Sequence, residues 1–220
     1  MKTVAEATLE IIRKSPFLEE ALSDGLINIS GLARKIQPEV EEALHKEVNV
    51  GAITMAINRY SPTKVLSLNR SIKNNVKDLG DFTIRYGIVC STVSHDKDFF
   101  ERHRSLMRTI DYSDRGSFFT FGQGITESSY IFSENYLSEF KQAFSGSNVL
   151  FTKEDQAIIN INLPKALLEL PGAYYYILKE LAWQNINITE IVSTSNELTI
   201  VVDNEQANQV FGVLSKLKFH

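Results

Sequence analysis

Hydrophobic residues recur every three or four positions through the first part of the chain, and this spacing predicts short helices. A first helix is predicted from about Val4 to Lys14. A second is predicted from Pro16 through Leu22, with Gly25 just past its end. Ser30 is predicted to cap a third helix, and Pro38 to open a further turn.

Asn49 is predicted to cap the last helix of this region, whose inward face carries Val50, Ile53 and Ile57. Short helices separated by tight turns are typical of helix-turn-helix proteins. Residues 1–61 therefore predict a small all-helical, helix-turn-helix-like domain.

A basic stretch follows, with no acidic residue between positions 58 and 77. Its cationic side chains are Arg59, Lys64, Arg70, Lys73 and Lys77. Pro62 interrupts it early, which places a domain boundary near Ser61 and makes residues 62–80 a connector. Such a stretch is either a solvated linker or a contact to nucleic acid, and the first interpretation is the more common one.

From residue 81 the hydrophobic period changes to two, which is typical of a half-buried strand. One face of this strand carries Phe82, Ile84, Tyr86, Ile88 and Cys90. A helix from about Phe99 to Ile110 is predicted next, then a hairpin of 118–121 and 127–132 that turns through 122–124. Ser133 is predicted to cap the helix that follows.

The same order of elements recurs in the last part of the chain. A strand at 159–163 precedes a helical stripe from Tyr174 to Ala182, a hairpin of 186–194 and 197–202, and a helix that Asp203 and Gln206 are predicted to cap. Glu127 and Glu197 precede equivalent strands, 70 positions apart. The pattern repeats although few letters do.

Two such units predict an α+β fold of two ferredoxin-like βαββα modules, residues 81–147 and 148–220, preceded by the helical domain. Each small antiparallel sheet leaves an edge strand that must be paired or covered. Pairing of the two modules side by side, or across a dimer, would remove that liability.

Composition narrows the classes of protein that remain. Hydrophobic residues make up 43% of the chain, which is enough for a folded core. No apolar run is long enough for a membrane helix, and the first residues do not resemble a signal peptide, so a soluble cytoplasmic protein without membrane contact is predicted. The net charge of −4 argues against a surface that coats nucleic acid.

No set of residues with the pattern of an active site is found. The four histidines do not have the spacing of metal ligands, although His95 and His103 are eight residues apart. Cys90, the only cysteine, alternates with inward residues and is predicted to be a core thiol. We therefore predict a protein that is not an enzyme and that holds no metal or cofactor.

The stretch from Leu170 to Ala173 is the strongest candidate for a binding site. Pro171 suits the first turn of a helix, and Gly172 lets a ligand approach the backbone without a Cβ in the way. The free N–H groups at such a helix start attract a carboxylate. The alternative is that these residues simply make a tight turn.

These motifs are similar to those of a known family. Leu170-Pro171-Gly172, Asn187-Ile188 and Ser193-Thr194-Ser195 resemble the ACT domain, especially the tandem type at the regulatory end of aspartate kinases. The resemblance extends over residues 157–217 and is one of topology over 81–146, where Ser94-His95-Asp96 replaces the Pro-Gly loop. Gln184-Asn185 stands where a glycine is commonest.

The resemblance implies a regulatory protein that binds a small amino acid between two modules, without the kinase domain. The resemblance to aspartate kinases therefore concerns their regulatory part only. The residues that it implies for the ligand are Pro171, Gly172, Ala173, Asn187, Ile188 and Thr189. A homodimer with its seam in the 171–190 region is also predicted, because two such loops would then meet.

The alternative function is a DNA-binding transcriptional regulator whose helical domain reads DNA under control of the ACT modules. Asn58 and Arg59 on the fourth helix, with Lys64 near phosphates, would make the contacts. Residues 1–57 carry nine acidic and six basic side chains, a net charge of −3, which weakens phosphate binding.

Overall fold

The computed structural model describes residues 2–60 and 71–219, and the chain divides into two compact units, Met1–Lys73 and Asn74–His220. The helices before residue 80 are α1 (Val4–Arg13), α2 (Pro16–Ser23), α3 (Ile29–Leu44), α4 (Val50–Arg59) and α5 (71–76). The next elements are β1 (Phe82–Ser94), α6 (Phe99–Met107), β2 (Phe119–Gln123), β3 (Glu127–Ser133) and α7 (Leu137–Ala143). The last are β4 (Val149–Asn162), α8 (Lys165–Leu168), α9 (Ala173–Trp183), β5 (Glu190–Ser193), β6 (Glu197–Asp203) and α10 (Ala207–Phe219).

The first unit is helical, as predicted, and its helices begin at strong capping residues. The Thr3 hydroxyl accepts from the Glu6 N–H while the Glu6 carboxylate accepts from the Thr3 N–H, which is a capping box. Asn49 caps α4 as predicted, through its side chain and the N–H of Gly51. The core of this unit comprises Ala7, Ile11, Ile12, Leu32, Ala33, Ile36, Val40, Val48, Ile53 and Ile57.

The predicted start and interruption of the third helix were wrong. Asn28 caps α3 by accepting from the Gly31 N–H, and Ser30 lies inside the helix. Pro38 opens no new turn, because α3 runs through it. Proline costs a helix one hydrogen bond. Here the buried side chains of Ile36 and Val40, on either side of the exposed Pro38, hold the helix in one piece.

The end of the predicted connector is not a solvated linker. Residues 61–70 lie outside the described residues, but 71–76 are helical and Val76 and Leu79 are buried. Gly80 then donates to the Asn162 carbonyl at 2.9 Å. A Cβ on Gly80 would lie 2.6 Å from the Cβ of Asn162, so this close approach requires glycine.

The second unit contains one six-stranded antiparallel sheet in the order β2-β3-β1-β4-β6-β5. We call α6, β1, β2, β3 and α7 the first module, and β4, α8, α9, β5, β6 and α10 the second module. The modules meet where β1 pairs with β4, so the sheet is continuous and its outer edges are β2 and β5. The side-by-side pairing of modules that was predicted from the edge problem is confirmed.

The internal repeat is confirmed, and it is accurate to the residue for β3 and β6. β3 and β6 have bounds 70 positions apart, and each is followed by one turn of 3-10 helix, Glu134–Tyr136 and Asn204–Gln206. The strand pairing repeats as well. Ser133, the last residue of β3, pairs with Ile88 of β1, and Asp203, the last residue of β6, pairs with Gln156 of β4.

The prediction of a half-buried β1 was wrong beyond residue 87. Gly87 adopts a φ of 67°, and the register against β4 shifts there. From Ile88 to Ser91 every residue is buried, on both faces. Alternation of hydrophobic residues along the strand cannot predict burial on both faces, because the second face of β1 belongs to a cluster with residues from distant parts of the chain.

Three further differences concern the second module. β4 begins at Val149, ten positions before the predicted strand, and residues 186–189 precede β5 instead of belonging to it. Asp203 makes no side-chain cap, since its carboxylate binds Lys153 and Gln156.

The sheet has two different faces. In the first module one face packs on α6 and α7 through a cluster that includes Val89, Val93, Tyr130 and Phe132. On the opposite face lies a second buried cluster, Ile88, Cys90, Ile131, Ile158 and Val201, with Phe118 and Val192 packed against it. We call this the helix-free cluster. It crosses the boundary between the modules.

Candidate functional site

The predicted Pro-Gly loop lies between α8 and α9, in the segment that follows β4. The chain leaves β4 with the Leu163 N–H bound to the Asn196 carbonyl, and α8 follows. Gly172 adopts the left-handed conformation, with a φ of 83°, immediately before α9 begins at Ala173. Glycine reaches this conformation without strain, so the residue type is required by the turn.

The start of α9 leaves backbone donors available. No side chain caps it, and its first turn contains no acidic residue. Among the described residues, no acceptor is found for the N–H groups of Tyr174 and Tyr175. Such amides, together with the helix dipole, favour an anion. The Tyr174 hydroxyl lies 2.7 Å from the Ser193 hydroxyl at the end of β5, which adds polar groups beside this position.

The other predicted ligand residues lie at the opposite end of α9. Thr189 precedes β5, where its N–H donates to the Val201 carbonyl at 2.8 Å, and Asn187 beside it is exposed. The eleven residues of α9 separate this segment from Gly172 by roughly 16 Å. Within one chain the structure therefore does not bring residues 171–173 and 187–189 into one pocket. The sequence motif gave no sign of this separation.

A polar cluster that sequence reasoning missed holds the Thr189 side chain. Its hydroxyl donates to the Gln156 Oε1 at 2.7 Å, and the Gln156 Nε2 donates to the Asp203 Oδ1 at 2.7 Å. Lys153 lies 2.6 Å from the same carboxylate oxygen. Hydrogen bonds from Lys153 and Gln156 lower the pKa of Asp203, so the carboxylate stays ionised. Lys153 and Gln156 fell in a stretch with no predicted element, which concealed them.

The corresponding helix start in the first module also has no side-chain cap, but it has acidic side chains beside it. Asp96 accepts from the Asp98 N–H at 3.0 Å, and its other oxygen binds Arg102 at 2.6 Å. The Arg102 hydrogen bond, followed by that from Asp98, lowers the pKa of Asp96. Glu101 adds a second carboxylate to the first turn of α6. The start of α6 thus carries negative charge of its own, whereas the first turn of α9 contains no acidic residue.

The candidate histidines and the cysteine are accounted for by packing. The His95 Nε2 lies 2.9 Å from the Ser128 hydroxyl, and the His103 Nδ1 lies 2.8 Å from the buried Tyr130 hydroxyl. Cys90 is buried, as predicted, and burial raises the pKa of its thiol to about 12. Among the residues that the structure describes, no group of three metal-ligating side chains occurs.

The residues proposed for DNA contact are at the end of α4. Asn58 and Arg59 are exposed there, and Lys64 lies outside the described residues. Arg59 and Arg13 line an open groove of about 510 Å³ between α1 and α4, whose remaining walls are largely apolar. The exposed side chains before them on α4 are Ala52 and Met55.

No family model matches this chain, and no curated protein matches it. Solved structures do. The regulatory subunit of aspartate kinase from Thermus flavus aligns with a TM-score of 0.51 and 12% identity, covering 63% of this chain and 97% of that one. The aspartokinase alpha and beta subunits align with a TM-score of 0.50 and 12% identity, over 63% of this chain and 97% of that chain.

A whole enzyme is matched only in part. Aspartate kinase from Clostridium acetobutylicum aligns with a TM-score of 0.50 and 12% identity, over 62% of this chain but 34% of its own. At such identity the likeness concerns the fold alone. The chain thus contains the fold of the regulatory part of aspartate kinases, as the resemblance implied. No helix within the described residues is both long and apolar enough to cross a membrane.

Proposed function

We propose that this protein is a non-catalytic regulator that senses a small amino acid through its second module. The observation that carries the proposal is the uncapped start of α9, where Gly172 is exposed and two backbone N–H groups have no acceptor among the described residues. A ligand carboxylate would accept from the amides of Tyr174 and Tyr175, with the helix dipole adding to the attraction. The start of α6 in the first module is a poorer place for a ligand carboxylate, because Asp96 lies just before it and Glu101 lies in its first turn, and both would repel an anion.

The residues at the far end of α9 join this site only across a dimer. β5 is an edge strand that begins beside Thr189 and ends beside Tyr174. If two copies pair their β5 strands antiparallel about a two-fold axis, the start of one strand meets the end of the other. Asn187 of one copy then lies near Gly172 of its partner, and the six predicted ligand residues form two composite sites.

Apolar side chains beside this edge support the same seam. Ile191 of β5 is 42% exposed and Tyr174 is 40% exposed. Leu178 and Ala182 continue the stripe along the side of α9 that faces the edge strand. An unpaired edge flanked by apolar side chains favours association with a second copy. Trp183 projects about 100° away from this stripe around the helix.

Ligand binding is tested by titrating the full chain with each of the twenty standard amino acids, using calorimetry and thermal shift. We expect one or more to bind and to raise the melting temperature. Gly172→Val, which places a side chain at the helix start, should abolish binding. Gly146→Val is the matched control, because Gly146 also has a positive φ of 76° but lies in an open turn of the first module. Absence of binding to the unmodified chain would refute the sensor.

The seam is tested separately by sedimentation at micromolar concentration. Ile191→Glu places a charge on each side of the two-fold axis and should convert a dimer into monomers. Trp183→Ser, which removes a more exposed side chain outside the proposed seam, should leave the dimer intact. A folded monomer at all concentrations, with and without amino acids, would contradict the composite site.

A further inference from the structure

The two long strands carry basic residues at equivalent positions. Arg85 stands two residues before Gly87, and Lys153 stands two residues before Asp155. Gly87 and Asp155 both have left-handed conformations, with φ of 67° and 55°, and both lie where the register of β1 against β4 is irregular. The repeat therefore reproduces the backbone irregularity together with the charge that precedes it.

Both basic residues flank the helix-free cluster. Arg85 pairs with Ile158 and Lys153 pairs with Cys90, and both of these partners belong to that cluster. The Arg85 guanidinium donates to the carbonyls of Gly116 at 2.5 Å and Arg115 at 2.9 Å. It thereby holds the loop that leads into β2.

Lys153 holds the segment that leads into β5 in a corresponding way. Its ammonium binds the Asp203 carboxylate and lies 3.5 Å from the Thr189 hydroxyl. Gln156, which is 1% exposed, connects the same two residues. A buried amide with both ends hydrogen-bonded fixes the positions of its partners more firmly than an exposed ion pair does.

These contacts cross between the modules. Residues 149–155 of β4 pair with β1 only, since the pairing of β4 with β6 begins at Gln156. Lys153 therefore lies on a strand segment that extends the first module, while Thr189 and Asp203 belong to the second. A displacement of Thr189 must be taken up by Lys153 or break its contact.

We propose that Lys153, Gln156 and Asp203 are positioning residues that hold segment 187–189 in place, and that Lys153 carries ligand occupancy at this segment to the first module. The positioning role depends only on the contacts described. The second part rests on the proposed function, because it requires a ligand that touches Asn187 or Thr189.

The positioning role is tested by hydrogen exchange on the full chain without added amino acids. Loss of a charged or buried hydrogen bond should speed exchange of the Thr189 amide about tenfold in Lys153→Met and in Gln156→Leu. Lys141→Met is the matched control, because Lys141 forms a fully surface-exposed pair with Glu154. Arg85→Met should instead speed exchange in residues 115–119. Unchanged exchange at Thr189 in both variants would overturn the positioning role.

The coupling is tested by the same measurement with whichever standard amino acid binds best. In the unmodified chain the amino acid should slow exchange both at 187–190 and at 149–153. In Lys153→Met it should still slow exchange at 187–190 but no longer at 149–153. Equal slowing at 149–153 in the variant would overturn the coupling. Failure of every amino acid to bind the unmodified chain would refute both the sensor and the coupling, while the exchange rates without amino acids decide the positioning role separately.

Discussion

The two modules share the order of their strands, and the bounds of β3 and β6 to the residue, but they differ at the start of the first long helix of each module. In the first module Asp96 and Glu101 place two carboxylates at the start of α6, whereas the start of α9 has none and is preceded by the left-handed Gly172. Both helices follow a long strand of the sheet, α6 after β1 and α9 after β4 with the short α8 between them. A few side chains decide whether that position stabilises the chain itself or remains available to another molecule.

The first module has a core of its own against α6 and α7, but a second core is common to both modules. β1 and β4 are shared along their length, and the helix-free cluster draws Cys90 and Ile131 from one module and Ile158 and Val201 from the other. A sensor built in this way would detect a ligand in one module and respond in both. The first two predictions concern this shared structure.

The largest effect is expected from Phe132→Ala in the first module. Phe132 is fully buried, and its ring lies 5.0 Å from that of Phe140. Removing a buried aromatic ring should lower the free energy of unfolding of the second unit by about 3–5 kcal/mol, measured by denaturant titration. Because the sheet is continuous, exchange should quicken in β6 of the second module as well as in β3. Faster exchange in β3 alone would mean that the modules unfold independently.

Gly87→Asp is expected to have the next largest effect. It gives the first module the residue that the second module has at the equivalent position 155. A side chain there must adopt a positive φ, and its Cβ would lie 3.1 Å from the Glu134 carboxylate. We expect a loss of about 1–2 kcal/mol by denaturant titration. Gly146→Asp is the control for the φ alone, since nothing lies within 4 Å of its Cβ position; equal losses in both variants would exclude the close contact as a cause.

The sequence predicted what depends on local pattern. Alternation predicted strands at 127–132 and 197–202, and each observed strand ends one residue later. Capping chemistry predicted the role of Asn49. What it missed depends on partners distant in the chain. The burial of Ser91, on the face opposite Cys90, depends on what covers that face, and the role of Gln156 depends on Thr189 and Asp203 beside it.

The candidate site was predictable in part for the same reason. Gly172 and its helix start were identified by a local rule, and the structure places them as that rule requires. The grouping of Gly172 with Asn187 came from a motif that records which residues matter but not which chain supplies them. The separation of roughly 16 Å along α9 is a property of the helix length.

The two modules are expected to differ in how their stability depends on pH. This change in stability should be smaller than the loss caused by either substitution. Burial lowers the pKa of His103, so the unfolded chain, where histidine titrates near 6.5, binds more protons than the folded chain. Stability should therefore fall as the pH drops below about 6.5 towards the folded value. Between pH 7.5 and 5.5 the protection against exchange, corrected for the pH dependence of the intrinsic exchange rate, should fall in α6 and β3 before it does in α9 and β6.

His103→Gln keeps a partner for the Tyr130 hydroxyl and removes the titration, so it should flatten this pH response. Asp203 and Asp96, whose pKa values are lowered, contribute stability that is lost only in more acidic solution, as the pH falls below about 4. A pH response of equal size in His103→Gln and in the unmodified chain would assign it to other groups.

The smallest effect on stability, and the sharpest on the comparison, is expected from Tyr175→Glu. Tyr175 is 45% exposed at the third position of α9, where a carboxylate can interact with the free N–H groups and the helix dipole. The substitution makes the start of α9 resemble that of α6. We expect a gain of about 0.3–1 kcal/mol in the free energy of unfolding.

The same carboxylate should compete with a bound amino acid, so calorimetric binding should weaken or disappear although the protein is more stable. Tyr175→Gln is the control without the charge, and it should retain more of the binding. If Tyr175→Glu gains stability and still binds the amino acid with unchanged affinity, the ligand carboxylate is not at the start of α9.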